Sequence, residues 1–221
     1  MGAGGRRFKS CYPDVELKSI DLLRVQVHIA ALSEINNHQL LEEISSTSNS
    51  IPQELRDGFG DATNQTYFED TTFPWGKPEA TRLLSRIEGV VTELSGIDMT
   101  VTEAWIVKLL RGQSVMAHSH RVNNHLFPQD HFSIAYYANA PTESANLIFE
   151  IGHSNLIEQI TSITPETGML VIFNSYIRHM TTRHNADEPR FVVSANLSPR
   201  HPRSAVVPDL SAYRLMSEYG N

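Results

Sequence analysis

Two histidines separated by one residue, His118 and His120, follow an apolar stretch and the turn residues Arg111-Gly112. In an extended chain, residues i and i+2 project to the same face, so two imidazoles at this spacing can converge on one ion. Histidine is the commonest protein ligand for metal ions and a general base near neutral pH. A polar, solvated strand end is the alternative interpretation, and the pair alone does not decide between the two.

A second segment strengthens the metal interpretation. Residues 165–179 predict a turn, an apolar strand, a second turn and a histidine, His179, that opens the next strand. Arg190 follows within an otherwise apolar stretch, where an arginine is costly unless a carboxylate pairs with it. Its guanidinium can bind a carboxylate through two hydrogen bonds, which suits a dicarboxylate co-substrate. The alternative is an edge-strand arginine that faces solvent.

The secondary structure predicted around these residues changes along the chain, from mainly helical before residue 98 to strands after it. Leu23–Ile29 predicts a strand, Asn36 with Gln39 resembles a capping box that opens a short helix, and the spacing of apolar residues predicts an amphipathic helix from Pro78 to Gly96. After residue 98, strands alternate with turn residues. We predict strands near 101–110, 132–139, 145–150, 157–163, 169–173, 179–182 and 190–196.

Seven short strands at this spacing indicate a mainly β fold with flanking helices, a jelly roll whose N-terminal helices pack on one sheet. Within one structural domain, we expect residues 1–98 to form an arm and supporting helices, 99–198 the β core, and 199–221 a C-terminal strap.

Composition narrows the function classes. The 221 residues carry a formal net charge of −7, so the chain has no global attraction for nucleic acid or anionic lipid. The single cysteine, Cys11, excludes an intramolecular disulfide and a cysteine-based zinc finger. With neither a signal peptide nor a membrane-length apolar run expected, we predict a cytoplasmic protein that acts on a small molecule. The oligomeric state stays open, with a homodimer as one option.

In their order along the chain, these segments resemble the 2-oxoglutarate- and Fe(II)-dependent dioxygenase superfamily, and most closely its group of 2-oxoglutarate/Fe(II) oxygenases with a His-x-His motif. The resemblance spans about Thr66 to Leu197 and implies a double-stranded β-helix. The pieces that carry it are Trp105-Ile106-Val107, Arg111-Gly112, His118-Ser119-His120, Ser133 to Tyr137, Gly168 to His179, and Arg190 to Asn196.

The resemblance implies a set of site residues. His118, His120 and His179 would be the catalytic iron ligands, with His120 standing where most of the superfamily has a carboxylate. Arg190 would hold the distal carboxylate of 2-oxoglutarate. The other residues expected to bind this co-substrate are Asn196 and either Tyr136 or Tyr137, of which only one can face the interior.

The resemblance also implies the reaction. Fe(II), 2-oxoglutarate and dioxygen would serve a hydroxylase that oxidises an unactivated C–H bond of a small molecule or amino-acid-like substrate and releases succinate and CO2. Asp130 is the alternative to His120 as the third ligand. The substrate contacts expected from the surrounding loops and strands are Arg121, Asn124, His131 and Trp105.

Two other functions stay open from the sequence. The three histidines could serve a cupin-like metalloenzyme that does not use 2-oxoglutarate. Alternatively, the domain could be a catalytically silent jelly-roll binding module.

Overall fold

A computed structural model of the chain describes residues 26–47, 69–120, 128–151 and 159–201. No helix in these ranges is both long and apolar enough to cross a membrane. The described elements are β1 (Val27–Ala31), α1 (Asn37–Thr47), β2 (Glu69–Thr72), α2 (Pro78–Ser95), β3 (Met99–Leu109), a 3-10 turn (Pro128–Asp130), β4 (Phe132–Asn139), β5 (Leu147–Ile151), β6 (Gln159–Ile163), β7 (Met169–Asn174), β8 (Arg178–Thr181) and β9 (Arg190–Pro199).

The strands form two antiparallel sheets. The larger has the order β1-β7-β4-β9-β3-β2, and the smaller has the order β6-β5-β8. This is the mainly β jelly roll with few helices that the strand spacing predicted, so the predicted fold class is confirmed. Strand β2 was not predicted, and both β1 and β2 pair into the larger sheet although they precede residue 99. The division of the chain at residues 98 and 198 stays a prediction.

Strand β4 of the larger sheet is buried on both faces, and the two faces meet different partners. On β4, Ile134 and Tyr136 belong to the hydrophobic cluster that includes the buried residues of both helices. Ala135 and Tyr137, which alternate with them, belong to a second cluster with residues of the smaller sheet such as Phe149. Inward-pointing residues of β3, β4, β5, β7 and β9 therefore meet in the interior between the two sheets. The helices cover the opposite face, as the sequence predicted.

Helix α2 begins and ends where its sequence predicts. Pro78 occupies the first turn, where its missing N–H costs nothing. Gly96 ends the helix with φ of 68°, and its N–H donates to the Thr92 carbonyl at 2.9 Å. Apolar residues four and seven positions apart give α2 a buried stripe against the sheet.

At the start of α1, one of the two hydrogen bonds of the predicted capping box is replaced by a contact with helix α2. Asn36 Oδ1 accepts the Gln39 N–H at 3.2 Å, as expected, but the Asn36 N–H donates to Glu79 of α2 at 2.6 Å. Glu43 of α1 in turn accepts the N–H groups of Glu79 and Ala80, each at 2.9 Å. Each helix therefore satisfies free N–H groups at the start of the other through a buried carboxylate.

Replacing Glu43 by Ala should lower the free energy of unfolding by about 1–3 kcal/mol, because two buried N–H groups at the start of α2 lose their acceptors. Glu42, the exposed neighbour of Glu43 on the same helix, provides the matched control, and Glu42→Ala should change the free energy by less than about 0.5 kcal/mol. Urea unfolding of both variants measures the difference. Equal effects would contradict the capping interpretation.

Candidate metal centre

Backbone pairing brings the three predicted histidines together. The segment that contains His118 lies beside β8, and His118 and His179 exchange both backbone hydrogen bonds, at 2.9 Å and 2.8 Å. Directly opposed residues of an antiparallel pair point to the same side. A further backbone hydrogen bond fixes the same segment at His120, whose N–H donates to the Ser175 carbonyl at 2.9 Å.

One ring nitrogen of each histidine lies within 4.8 Å of the corresponding nitrogens of the other two. The Nε2 atoms of His118 and His120 are 3.2 Å apart. His179 is buried, and the other two are half-buried. Among the described residues, the group that could hold a metal contains these three histidines and no carboxylate, so Asp130 does not complete it.

The other ring nitrogen of each histidine is occupied. The Nδ1–H groups of His118 and His179 donate to carbonyl oxygens two residues earlier, those of Met116 at 2.7 Å and Ile177 at 2.9 Å. His120 lacks such a carbonyl contact, and its Nδ1 lies 2.6 Å from Asn196 Oδ1. Because a carbonyl oxygen can only accept, these contacts assign the proton of each neutral ring to Nδ1.

The orientation of the Asn196 amide rests on a further contact. Asn196 Nδ2 donates to Glu103 at 2.8 Å, which turns Oδ1 towards His120. The Ser133 hydroxyl lies 2.8 Å from both His120 Nδ1 and Asn196 Oδ1. Asn196, which was expected to bind the co-substrate, therefore has its amide engaged by Glu103, Ser133 and the metal-ligand candidate His120. Its direct contact with the co-substrate stays a prediction, beside the observed contact with the ring of His120.

The Nδ1 contacts leave the Nε2 lone pairs of the three clustered rings free, and a cation between them would relieve their mutual repulsion. A proton is disfavoured on two of the rings. Burial is the main cause that lowers the pKa of His179 to about 3, and it also lowers the pKa of His120. The neighbouring His118 lowers both pKa values further. Three neutral imidazoles with free Nε2 atoms are the donor set that ferrous iron and similar transition metals accept. The donor set therefore fits a bound metal ion.

Arg190 lies on β9 and is buried, with 2% of its surface exposed. Its Nη1 donates to the Ala145 carbonyl at 2.9 Å, while its Nε has no hydrogen-bond partner in the described chain. The guanidinium carbon lies 5.7 Å from the centre of the Tyr137 ring, a cation–π distance. Burial lowers the pKa of Arg190, and no ion pair to a carboxylate is found for it among the described residues. The exposed edge-strand alternative is therefore wrong.

Only one of the two predicted tyrosines faces Arg190. Tyr137 is buried on the inner face of β4, and burial raises the pKa of its hydroxyl to about 12, so it stays protonated. The prediction is wrong for Tyr136, whose side chain alternates to the helix-covered face, where its hydroxyl donates to Asn37 at 2.7 Å.

The residues predicted to contact substrate lie at different distances from the candidate centre, and some lie outside the described ranges. The Trp105 ring lies 5.4 Å from that of His120, beside the candidate centre. His131 is buried and its Nδ1 lies 3.0 Å from the Ser198 hydroxyl, and its contact with substrate stays a prediction. The two remaining candidates, Arg121 and Asn124, lie outside the described residues.

Sequence reasoning did not single out Ser133 or Glu103 as functional. Their role depends on register, since β9 places Asn196 opposite Ser133 on one side and Glu103 on the other. No local motif encodes that pairing.

Comparison with known proteins gives one family and a set of similar folds. Residues 103–196 match the family model described as "Putative 2OG-Fe(II) oxygenase". The carbocyclase SnoK from nogalamycin biosynthesis, described as non-heme and alpha-ketoglutarate dependent, shares 13% identity at a TM-score of 0.58, over 77% of this chain and 78% of its own. No curated protein is significantly similar in sequence.

Two further structures are similar at 11% identity and a TM-score of 0.55. HygX from Streptomyces hygroscopicus, solved with nickel and 2-oxoglutarate bound, is covered over 83% of its length by 80% of this chain. The epimerase SnoN, solved with Fe3+, alpha-ketoglutarate and nogalamycin RO, is covered over 80% of its length, again by 80% of this chain. At these identities the likeness concerns the fold.

The stability of the metal-free protein should fall as the pH drops from about 6.5 towards 3. His179 stays neutral in the folded state down to a pKa of about 3, whereas the unfolded chain binds a proton near the ordinary value of 6.5. In this range the unfolded state thus binds one proton more than the folded state. The free energy of unfolding therefore falls by up to about 1.4 kcal/mol for each pH unit of acidification.

Urea unfolding with a chelator at several pH values tests this prediction. His179→Asn should flatten the fall, whereas the control His38→Asn, on the exposed side of α1, should leave it unchanged. The same slope in His179→Asn and the parent protein would contradict the assigned pKa direction.

Proposed function

We propose that this chain, which carries a domain of the 2OG-Fe(II) oxygenase family in residues 103–196, binds Fe(II) through His118, His120 and His179 and uses 2-oxoglutarate and dioxygen to oxidise a small molecule. The family predicted from the sequence is the one that this domain matches. The predicted cofactors are those that the family description names. The observation that carries the proposal is the convergence of three Nε2 atoms whose rings are each held through Nδ1.

Iron and 2-oxoglutarate together supply the oxidising chemistry, in which dioxygen is activated as the keto acid is converted to succinate and CO2. The protein's own part is to present three neutral imidazoles in a fixed orientation. Backbone carbonyls hold His118 and His179, and Asn196 with Ser133 holds His120. Such outer contacts fix the tautomer of a ligating histidine and make it a better donor.

The three ligands contribute no charge, because each imidazole is neutral, whereas a carboxylate in place of His120 would contribute one negative charge. A ferrous ion carries two positive charges, 2-oxoglutarate carries two negative ones, and the Arg190 guanidinium carries one positive charge. The loaded site would therefore carry a net charge of +1, one unit more positive than a site with two histidines and one carboxylate.

Arg190 supplies the contact for the distal carboxylate of 2-oxoglutarate. Its guanidinium is buried, its Nε is unsatisfied, and none of the ion pairs found in the described chain includes it. Within the part of the chain that the structure describes, this buried cation has no anion to stabilise it, and a carboxylate can accept two of its N–H groups. The Tyr137 hydroxyl, on the same inner face, is a donor that stays protonated and can reach the same carboxylate.

Substrate is proposed to approach the side of the centre where Trp105 and Met116 lie. The Trp105 ring is near His120, and Met116, two residues before His118, is 58% exposed. Hydroxylation of a C–H bond is the simplest outcome, and SnoK and SnoN, described as a carbocyclase and an epimerase, show that similar folds serve other outcomes. We also infer a reducing, cytoplasmic setting, which keeps iron ferrous and suits a chain with one cysteine.

Anaerobic titration tests the function directly. Adding Fe(II) and 2-oxoglutarate to the protein should produce a weak visible charge-transfer band, because the keto acid chelates the ion. His179→Ala should abolish the band, while His38→Ala, an exposed control on α1, should retain it. Iron bound without the band would favour a cupin-like metalloenzyme that does not use 2-oxoglutarate. Absence of metal binding would favour a binding module and contradict the proposal.

Arg190→Ala should raise the 2-oxoglutarate concentration needed for half-maximal succinate formation by more than about 100-fold. Removing the cation leaves a buried carboxylate unpaired, a loss of about 3–5 kcal/mol. Arg178→Ala, which removes an exposed arginine from β8, serves as the control and should leave this concentration unchanged. Unchanged succinate formation by Arg190→Ala at low 2-oxoglutarate would overturn the assigned clamp.

A further inference from the structure

His184 is a fully buried histidine that the proposed reaction does not use. It lies in the loop between β8 and β9, outside the group of histidines that could hold a metal. A fully buried imidazole must have its polar atoms satisfied, so its partners identify what it holds in place.

The two ring nitrogens of His184 contact two separate segments. Nδ1 accepts the Ala145 N–H at 3.3 Å, at the start of the segment that leads into β5. Nε2 lies 2.8 Å from the Glu188 carbonyl, which can only accept, so Nε2 carries the proton and Nδ1 has the free lone pair. Both contacts are satisfied by the same neutral tautomer.

The backbone of His184 is fixed as well. Its carbonyl accepts the Gly112 N–H at 2.7 Å, and its own N–H donates to the Gln113 carbonyl at 2.8 Å. His184 therefore joins three segments: the turn after β3, the residues before β5, and its own loop. With all four polar groups engaged, the ring has little freedom to move.

Both segments that the ring contacts also hold Arg190. The Ala145 carbonyl accepts from Arg190 Nη1 at 2.9 Å, and Glu188 stands two residues before Arg190 at the entry to β9. The ring of His184 thus contacts both the residue whose carbonyl accepts from the guanidinium and the loop that leads into Arg190.

We propose that His184 is a positioning residue for Arg190 and thereby sets the preference of the site for a keto diacid over a keto monoacid. This inference rests on the proposed function, because it requires that Arg190 bind the distal carboxylate of 2-oxoglutarate. A role limited to filling the core would alter stability but would not separate two keto acids that share the same chelating end. The selectivity between such acids therefore distinguishes positioning from packing.

The test measures binding of two keto acids to the nickel-loaded full-length protein by calorimetry. The acids are 2-oxoglutarate and 2-oxobutanoate, which has the keto-acid end but no second carboxylate. His184→Leu should weaken 2-oxoglutarate binding by about tenfold and leave 2-oxobutanoate binding within about twofold. His184→Gln, which keeps a donor and an acceptor, should recover part of the loss and serves in its place where His184→Leu does not fold.

Two other variants make the outcome specific. Arg111→Ala removes an exposed ion pair to Asp187 on the outer side of the same loop and should change neither affinity. Arg190→Ala should show the same selective loss as His184→Leu, to a larger extent. If Arg190→Ala is selective but the His184 variants affect both acids equally or neither, the positioning role is overturned alone. If Arg190→Ala is itself not selective, the clamp fails and this inference fails with it.

Discussion

The site depends on one electrostatic constraint: three imidazole lone pairs meet within 4.8 Å, and burial lowers the pKa of two of the rings, His120 and His179. Each ring is held from behind. His118 and His179 use the same local geometry, in which Nδ1–H donates to the carbonyl two residues earlier. His120 has no such carbonyl and takes its acceptor from Asn196 on β9. Among the three rings, His120 is therefore the one whose support comes from a distant strand, and that support orients its Nε2 towards His118.

Strand β9 connects the two ends of the proposed site. Arg190 and Asn196 are six residues apart, and even separation places them on the same inner face of the sheet. Between them the inner face is lined by small or apolar residues, including Val192 of β9 and Ala135 of β4. A polar metal end, an apolar middle and a buried guanidinium match a molecule with a chelating end, a hydrocarbon middle and a carboxylate end. The same alternation turns the other side of β9 towards the helices, so core packing and site geometry are set by a single register.

Much of this arrangement was accessible from the sequence, because it is encoded in periodicity and local spacing. The bounds of α2 follow from Pro78, Gly96 and the apolar stripe, and the His-x-His spacing placed two imidazoles on one side of an extended segment. What could not be predicted depends on contacts between distant segments. Glu103 reaches Asn196 only through the pairing of β3 with β9, and Tyr136 was distinguishable from Tyr137 only once the inner face of β4 was known. The Glu43 caps likewise depend on how two helices pack.

Anomalous diffraction at the iron edge, from crystals prepared anaerobically with Fe(II), tests the central claim most directly. The account predicts one iron peak within bonding distance of the Nε2 atoms of His118, His120 and His179, with each Nδ1 still bonded to the oxygen that it contacts here. Iron bound through a carboxylate in place of His120, through an Nδ1 atom, or at another location would contradict it.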